Sequence, residues 1–240
     1  MGRSRKIERI RMAAARGDAD AQCELGLALF YGKGVRRNRR EAVWWYHRAA
    51  RGGSDHAMAN LGRCYWFGHG VAKNPHQAVQ WFWKAAEQGN EGGMYLFARA
   101  AWEGRGIFRD RSVAVMVFRV LGDWGDADAQ TYMGIAYHNG WGVPKNRRKG
   151  VLWYRRAARR GASDAEFNLG LCYRDGEGVT RSYEKALEWF RRARRHGEAG
   201  ASREIRKLRA RIARESRIRR LGSSGGRRWA HFRASSNSRR

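Results

Sequence analysis

Residues 54–89 read SDHAMANLGRCYWFGHGVAKNPHQAVQWFWKAAEQG, and the pattern of this stretch returns every 36 residues. Gly32, Gly68, Gly104, Gly140 and Gly176 stand in one column, and Gly34, Gly70, Gly106, Gly142 and Gly178 in a second. A third holds Gly53, Gly89, Gly125, Gly161 and Gly197. Glycine is 30 of 240 residues, so three filled columns are not chance. A fixed period of this length marks small units that bury a core only by stacking on their neighbours. Five units follow without insertion, at 18–53, 54–89, 90–125, 126–161 and 162–197.

Each unit reads as helix, glycine turn, helix. The first helix carries an apolar residue and then a small one: Leu25-Gly26, Leu61-Gly62, Phe97-Ala98, Met133-Gly134, Leu169-Gly170. The small residue lets a neighbouring helix approach. The turns read YGKGV, FGHGV, EGRGI, NGWGV and DGEGV, and their first glycine suits a left-handed helix end. Asn38, Asn74, Asp110, Asn146 and Ser182 share one column and are expected to cap the second helix, each offering a short side-chain oxygen to an orphan N–H. The stripe Ala42, Trp45, Tyr46, Ala49, repeated as Ala78, Trp81, Phe82, Ala85 and as Ala186, Trp189, Phe190, Ala193, lies on one helical face. The third unit departs furthest, with Val117 for tryptophan, Leu121 for alanine and Ala101 for tyrosine.

The pattern runs past both ends. Residues 5–16 read as half a unit, and 198–220 as a charged capping helix with the thin apolar stripe Ile205, Leu208 and Ile212. The expected fold class is therefore all-α, a solenoid of five 36-residue two-helix repeats over residues 1–220, with an N-terminal half-repeat and a C-terminal cap. Residues 221–240, rich in Gly, Ser and Arg, are expected to be a disordered basic tail.

Composition narrows function. The formal charge is +28, with 50 Lys and Arg against 22 Asp and Glu. Such a field attracts acidic proteins, nucleic acid or anionic lipid without choosing among them. The three cysteines, Cys23, Cys64 and Cys172, form no CxxC pair, so neither a disulfide framework nor a metal site is expected. Cys64 and Cys172 share the column of Ala28, Ala100 and Ala136, a small packing position. No apolar run approaches the roughly 20 residues needed to span a bilayer, and the start lacks a signal-peptide core. A cytoplasmic setting is the expectation. HExxH, GxSxG and phosphate-loop patterns are absent, so no catalytic residue and no cofactor are assigned.

The paired LG, the GxGV turn and the helix of the form A-x-x-W-[YF]-x-x-A-A-x-x-G resemble the Sel-one-like repeat (SLR) family, relatives of tetratricopeptide repeats. The resemblance covers residues 5–197. It implies a right-handed α/α superhelix with the first helices on the concave side, and a role as adaptor or scaffold without shared catalytic residues. Some secreted members pair cysteines within each repeat; this chain does not.

By analogy with tetratricopeptides, the groove columns begin at Asp20, Cys23, Leu27 and Phe30. Down the stack they supply His56, Arg63 and Trp66; Tyr95, Arg99 and Trp102; Asp128 and His138; Asp164, Phe167 and Arg174. Aromatics mixed with arginine suit an acidic or extended peptide; the competing reading packs Trp66 and Trp102 between helices. A basic ridge, Arg36, Arg37, Arg39 and Arg40 with Lys145, Arg147, Arg148 and Lys149, lies where the second helices start. Cations there oppose the helix dipole, which suggests an anion between them; a solvated edge is the plainer reading. In the tail, Arg227, Arg228, Trp229, Phe232 and Arg233 interleave charge with rings, as nucleic-acid or membrane-surface binders do; the competing reading is a solubilising tail with no partner. The expected partner is a protein, acidic by preference, with nucleic acid as the alternative and no small-molecule substrate.

Overall fold

The structure, a computed structural model, describes residues 2–217, and they are all-helical. Helix α1 (Gly2–Ala15) stands alone. The repeats follow as the pairs α2 (Ala19–Tyr31) and α3 (Arg39–Arg51), α4 (Asp55–Phe67) and α5 (Pro75–Glu87), α6 (Glu91–Glu103) and α7 (Arg111–Trp124), α8 (Ala127–Asn139) and α9 (Arg147–Arg159), α10 (Ser163–Asp175) and α11 (Tyr183–Arg195). A further helix, α12, covers 201–217. The chain divides into two compact bodies between Lys145 and Asn146. The first holds α1–α8 and the second α9–α12.

The caps fix where each helix begins and ends. Asn38, Asn74 and Asn146 accept the N–H of the third residue beyond them at 3.1, 3.0 and 3.0 Å. Asp110 accepts from Ser112 and Val113, and Ser182 from Lys185. All five expected caps of the second helices are thus in place. The first helices have their own, Asp18, Ser54, Asn90 and Asp126, whereas Ala162 offers no side-chain cap. The first helices end on glycine. At Gly68 the backbone turns left-handed (φ 76°) and its N–H returns to the Cys64 carbonyl. Two residues on, Gly70 is held by contact as well as by φ, because a Cβ there would collide with the Arg39 carbonyl at the start of the preceding repeat's second helix.

Packing inside the first, second and fifth repeats is ring on glycine. A Cβ at Gly62 would stand 2.5 Å from Phe82, and one at Gly170 the same distance from Phe190. Tyr46 sits against Gly26 in the same way. The small residue of the LG pair therefore sets how deeply the second helix's ring is buried, and Tyr46, Phe82, Phe118 and Phe190 are all fully buried. Between repeats, α3 packs on α4, α5 on α6 and α7 on α8. In the first body α4 also touches α6 directly, while successive second helices make no contact of that extent. The first helices of the second and third repeats thus approach each other more closely than their second helices do. In the third repeat Leu121 and Ala101 are fully buried and Phe118 stacks on Tyr132 at 4.3 Å, so the volume lost at the tyrosine column returns from the next repeat.

The second body closes around a buried carboxylate. Glu166, at 0% exposure, accepts from Arg192 Nε at 3.0 Å and faces His196 Nδ1 at 2.8 Å. Helix α12 caps α10 and α11 with Ile205 and Leu208 as expected, and Glu204 on it binds Arg174 at 2.7 Å.

Candidate functional site

A hollow on the first-helix layer lies between α2 and α4. It has a volume of about 190 Å³ and is lined by Leu27, Phe30, Tyr31, Asn60, Arg63 and Phe67 among others. Tyr31 and Phe67 are 60% and 51% exposed. His69 lies flat against Phe67, ring centroids 5.5 Å apart. Arg63 is exposed beside them. This is an aromatic-lined cleft with a cation at its rim, able to hold an apolar or aromatic side chain whose neighbour is acidic.

Of the expected groove residues, Leu27, Phe30 and Arg63 line this cleft. His56 is exposed at the start of α4, its Nδ1 2.8 Å from Asn90 Nδ2, with Asp55 alongside. Tyr95 and Arg99 are half-buried on α6. Tyr95 packs edge-on to Phe118 and Tyr132, burial pushes its hydroxyl pKa up, and Arg99 pairs with Glu103 at 3.1 Å. Asp128 is exposed on α8, its carboxyl pushed up by partial burial and by Asp126; His138 is half-buried on the same helix. Asp20 and Asp164 are exposed, whereas Cys23 is buried. In the second body Phe167 packs on Phe190, and Arg174 is tied to Asp175 and Glu204.

Two residues are corrected. Trp66 is 1% exposed and Trp102 is buried, so neither is open to a partner. Trp66 packs on Phe82, and the Arg105 guanidinium from the next turn lies 4.0 Å over it and donates to its carbonyl. Trp102 is ringed by Phe118, Tyr132 and Trp141, with Arg111 above. The aromatics that do reach solvent lie one residue on, at Tyr31 and Phe67, each just before the turn glycine. That shared register was the signal the sequence offered.

The ridge is placed as expected but explained differently. Arg36, Arg37, Arg39, Arg40, Lys145, Arg147, Arg148 and Lys149 are all exposed. One of its columns extends through every repeat: Arg37, Lys73, Arg109, Lys145 and Arg181 each lay a Cβ within 3.3 Å of where a Cβ on the turn glycine would stand. The turn thus folds each cation back over the C-terminal end of the first helix. Arg109 Nη2 donates to the Glu103 carbonyl there at 3.3 Å. That is the negative end of a helix dipole, so this column is favourable where it stands and needs no bound anion. Arg147 pairs with Glu177 at 2.8 Å. The tail candidates Arg227, Arg228, Trp229, Phe232 and Arg233 lie outside the described residues.

The three cysteines, Cys23, Cys64 and Cys172, are all buried. Burial pushes the thiols of Cys64 and Cys172 up to about 12, so both stay protonated and inert near neutral pH. Among the described residues no group of three or more His, Cys, Asp or Glu is placed to hold a metal, and no helix is long and apolar enough to cross a membrane.

These features define a solenoid of two-helix repeats with a cleft on the first-helix layer. The Sel1 repeat family model matches residues 19–54, 55–90, 127–161 and 163–198, and the chain belongs to that family. The third repeat is left unmatched, in keeping with its departures. Two solved structures are similar. One is a protective antigen of uropathogenic Escherichia coli strains displaying an SLR fold, 33% identical, TM-score 0.76, covering 82% of this chain and 42% of its own. The other is a Sel1 repeat protein from Oxalobacter formigenes, 31% identical, TM-score 0.76, covering 80% and 76%. This chain therefore spans less than half of the E. coli chain. No curated protein matches it. Sel1 repeats are typically protein-interaction scaffolds.

Proposed function

We propose that this chain is a non-catalytic adaptor that holds a protein partner along the first-helix layer, favouring acidic segments. The observation that carries it is the cleft between α2 and α4, where Tyr31 and Phe67 stand exposed around Arg63. Solvent-facing aromatics beside an arginine are the composition of interface hot spots. Arginine adds selectivity for carboxylates and speeds encounter. A photo-crosslinking residue at position 67 tests this in nuclease-treated cytosol at physiological salt. Discrete protein adducts that vanish with Arg63→Glu support the reading; adducts indifferent to Arg63→Glu count against it.

The ridge favours a second reading, nucleic-acid binding. Arg36, Arg37 and Arg40 are exposed and have no acidic partner among the described residues. If this reading holds, affinity survives at physiological salt with some selectivity, whereas plain polyelectrolyte attraction collapses steeply with salt.

A further inference from the structure

The outer face of the third repeat differs from that of every other repeat. In the other four, the second helix places a cation over the tryptophan three residues before it: Arg48 on Trp45, Lys84 on Trp81, Arg156 on Trp153 and Arg192 on Trp189, at 4.6–5.7 Å. In α7 both positions are valine, Val117 and Val120. The exposed stripe Val113, Met116, Val120 and Trp124 follows, spaced by three and four residues on one helical face. Met116 is 69% exposed. At the head of the helix Phe108 is 95% exposed, where the other repeats have Arg36, Ala72, Pro144 and Thr180. Phe108 borders a groove of about 840 Å³ whose apolar lining includes Val79, Trp83, Phe97 and Ile107. An exposed apolar surface this concentrated marks an interaction site.

The charges around it select the occupant. The acids of α7 and its turn are engaged: Asp110 on two backbone N–H groups, Glu103 on Arg99, and Asp123 in an interaction of its own. The cations are open. Arg119 is exposed with no partner among the described residues, Arg109 reaches only a carbonyl, and the groove's ionisable lining is His76 and Arg109. A cationic rim around an apolar stripe complements carboxylates around an apolar stripe. Residues 221–240, with five arginines and no acid, have the wrong sign, and so does a second copy of a chain of charge +28.

We propose that the groove beside Phe108 and the α7 stripe form a second docking surface, distinct from the α2–α4 cleft, that binds an amphipathic helix with acidic flanks from a partner protein. The probe is a fluorescein-labelled helical peptide of about 18 residues with a leucine and tryptophan face and glutamate elsewhere. Anisotropy is read on the full chain at about 0.15 M salt. Because Met116 and Val120 are exposed, the double change Met116→Gln and Val120→Gln leaves folding intact, checked by circular dichroism. It is expected to weaken the peptide by about tenfold or more, and Arg119→Gln by a few-fold. Arg63→Glu with Phe67→Ser leaves this binding unchanged even where it abolishes partner capture at the cleft. A peptide with lysine for glutamate does not bind. The proposal is overturned if the double variant binds as tightly as the parent, since overall charge alone then holds the peptide. Equal binding of the lysine peptide overturns it too. So does sedimentation showing a dimer that the double variant dissolves, which would make the occupant a second copy.

Discussion

Trp66 illustrates how a single side chain divides stability from recognition. Its ring fills the space between α4 and α5 and is closed over by Arg105, so its loss opens a cavity rather than a contact. Trp66→Ala is expected to cost about 3–5 kcal/mol in urea unfolding, while Phe67→Ser, at half exposure, costs under about 1 kcal/mol and acts on partner binding instead. The reverse ranking would mean that the cleft is misplaced. His47 gives a pH signature. Burial first, and the Arg51 charge second, hold its imidazole below the ordinary value of 6.5, and it shares a 3.2 Å hydrogen bond with Tyr65. The unfolded chain therefore binds the proton more readily. Stability from this site is complete above about pH 6.5 and is lost as pH falls through the folded-state value. Urea midpoints measured from about pH 7.5 down to 5.5 should fall, and His47→Gln should flatten that slope; an unchanged slope assigns it elsewhere.

At the scale of the element, the turn is the device that sets the stack. Gly70 and Gly89 share φ values of 77° and 80°, but a Cβ at Gly89 meets nothing within 4 Å, whereas one at Gly70 meets the Arg39 backbone. Gly89→Ala is expected to cost about 1–2 kcal/mol for the left-handed backbone alone. Gly70→Ala should cost a further 1–3, roughly, for the forced separation of neighbouring repeats. Equal costs would mean that the repeats do not rest on that glycine. Much of this level was legible in the sequence. The glycine columns, the five second-helix caps and the LG pair are local chemistry repeated in register, and each stands where the period places it. The groove was less legible. Whether Trp66 is open depends on an arginine 39 residues later, and a one-residue step around a helix separates the buried ring at 66 from the exposed one at 67. The ridge was visible as charge, but its reason was not. Only the folded turn shows that a cation preceding one helix lies over the end of another. The α7 stripe went unread because Val117 draws notice as a missing tryptophan, while the matching loss of the cation at Val120 shows only when the two are paired in space.

Across the whole molecule, charge and shape have separate tasks. The repeats bury rings against glycine and alanine, and most cations of the described residues are exposed, where the proposed reading has them speed encounter and select partners more than hold the fold. Raising salt should therefore weaken association far more than it lowers the unfolding midpoint. The central claim is that the first-helix cleft, not the charge, defines the partner. The most direct test is capture from nuclease-treated cytosol at physiological salt, comparing the parent chain with the pair Tyr31→Ser and Phe67→Ser, which leaves the net charge unchanged. The account expects a discrete protein partner held by the parent and lost from the pair. Retention of the same partner by the pair, or recovery that depends on intact nucleic acid, would contradict it.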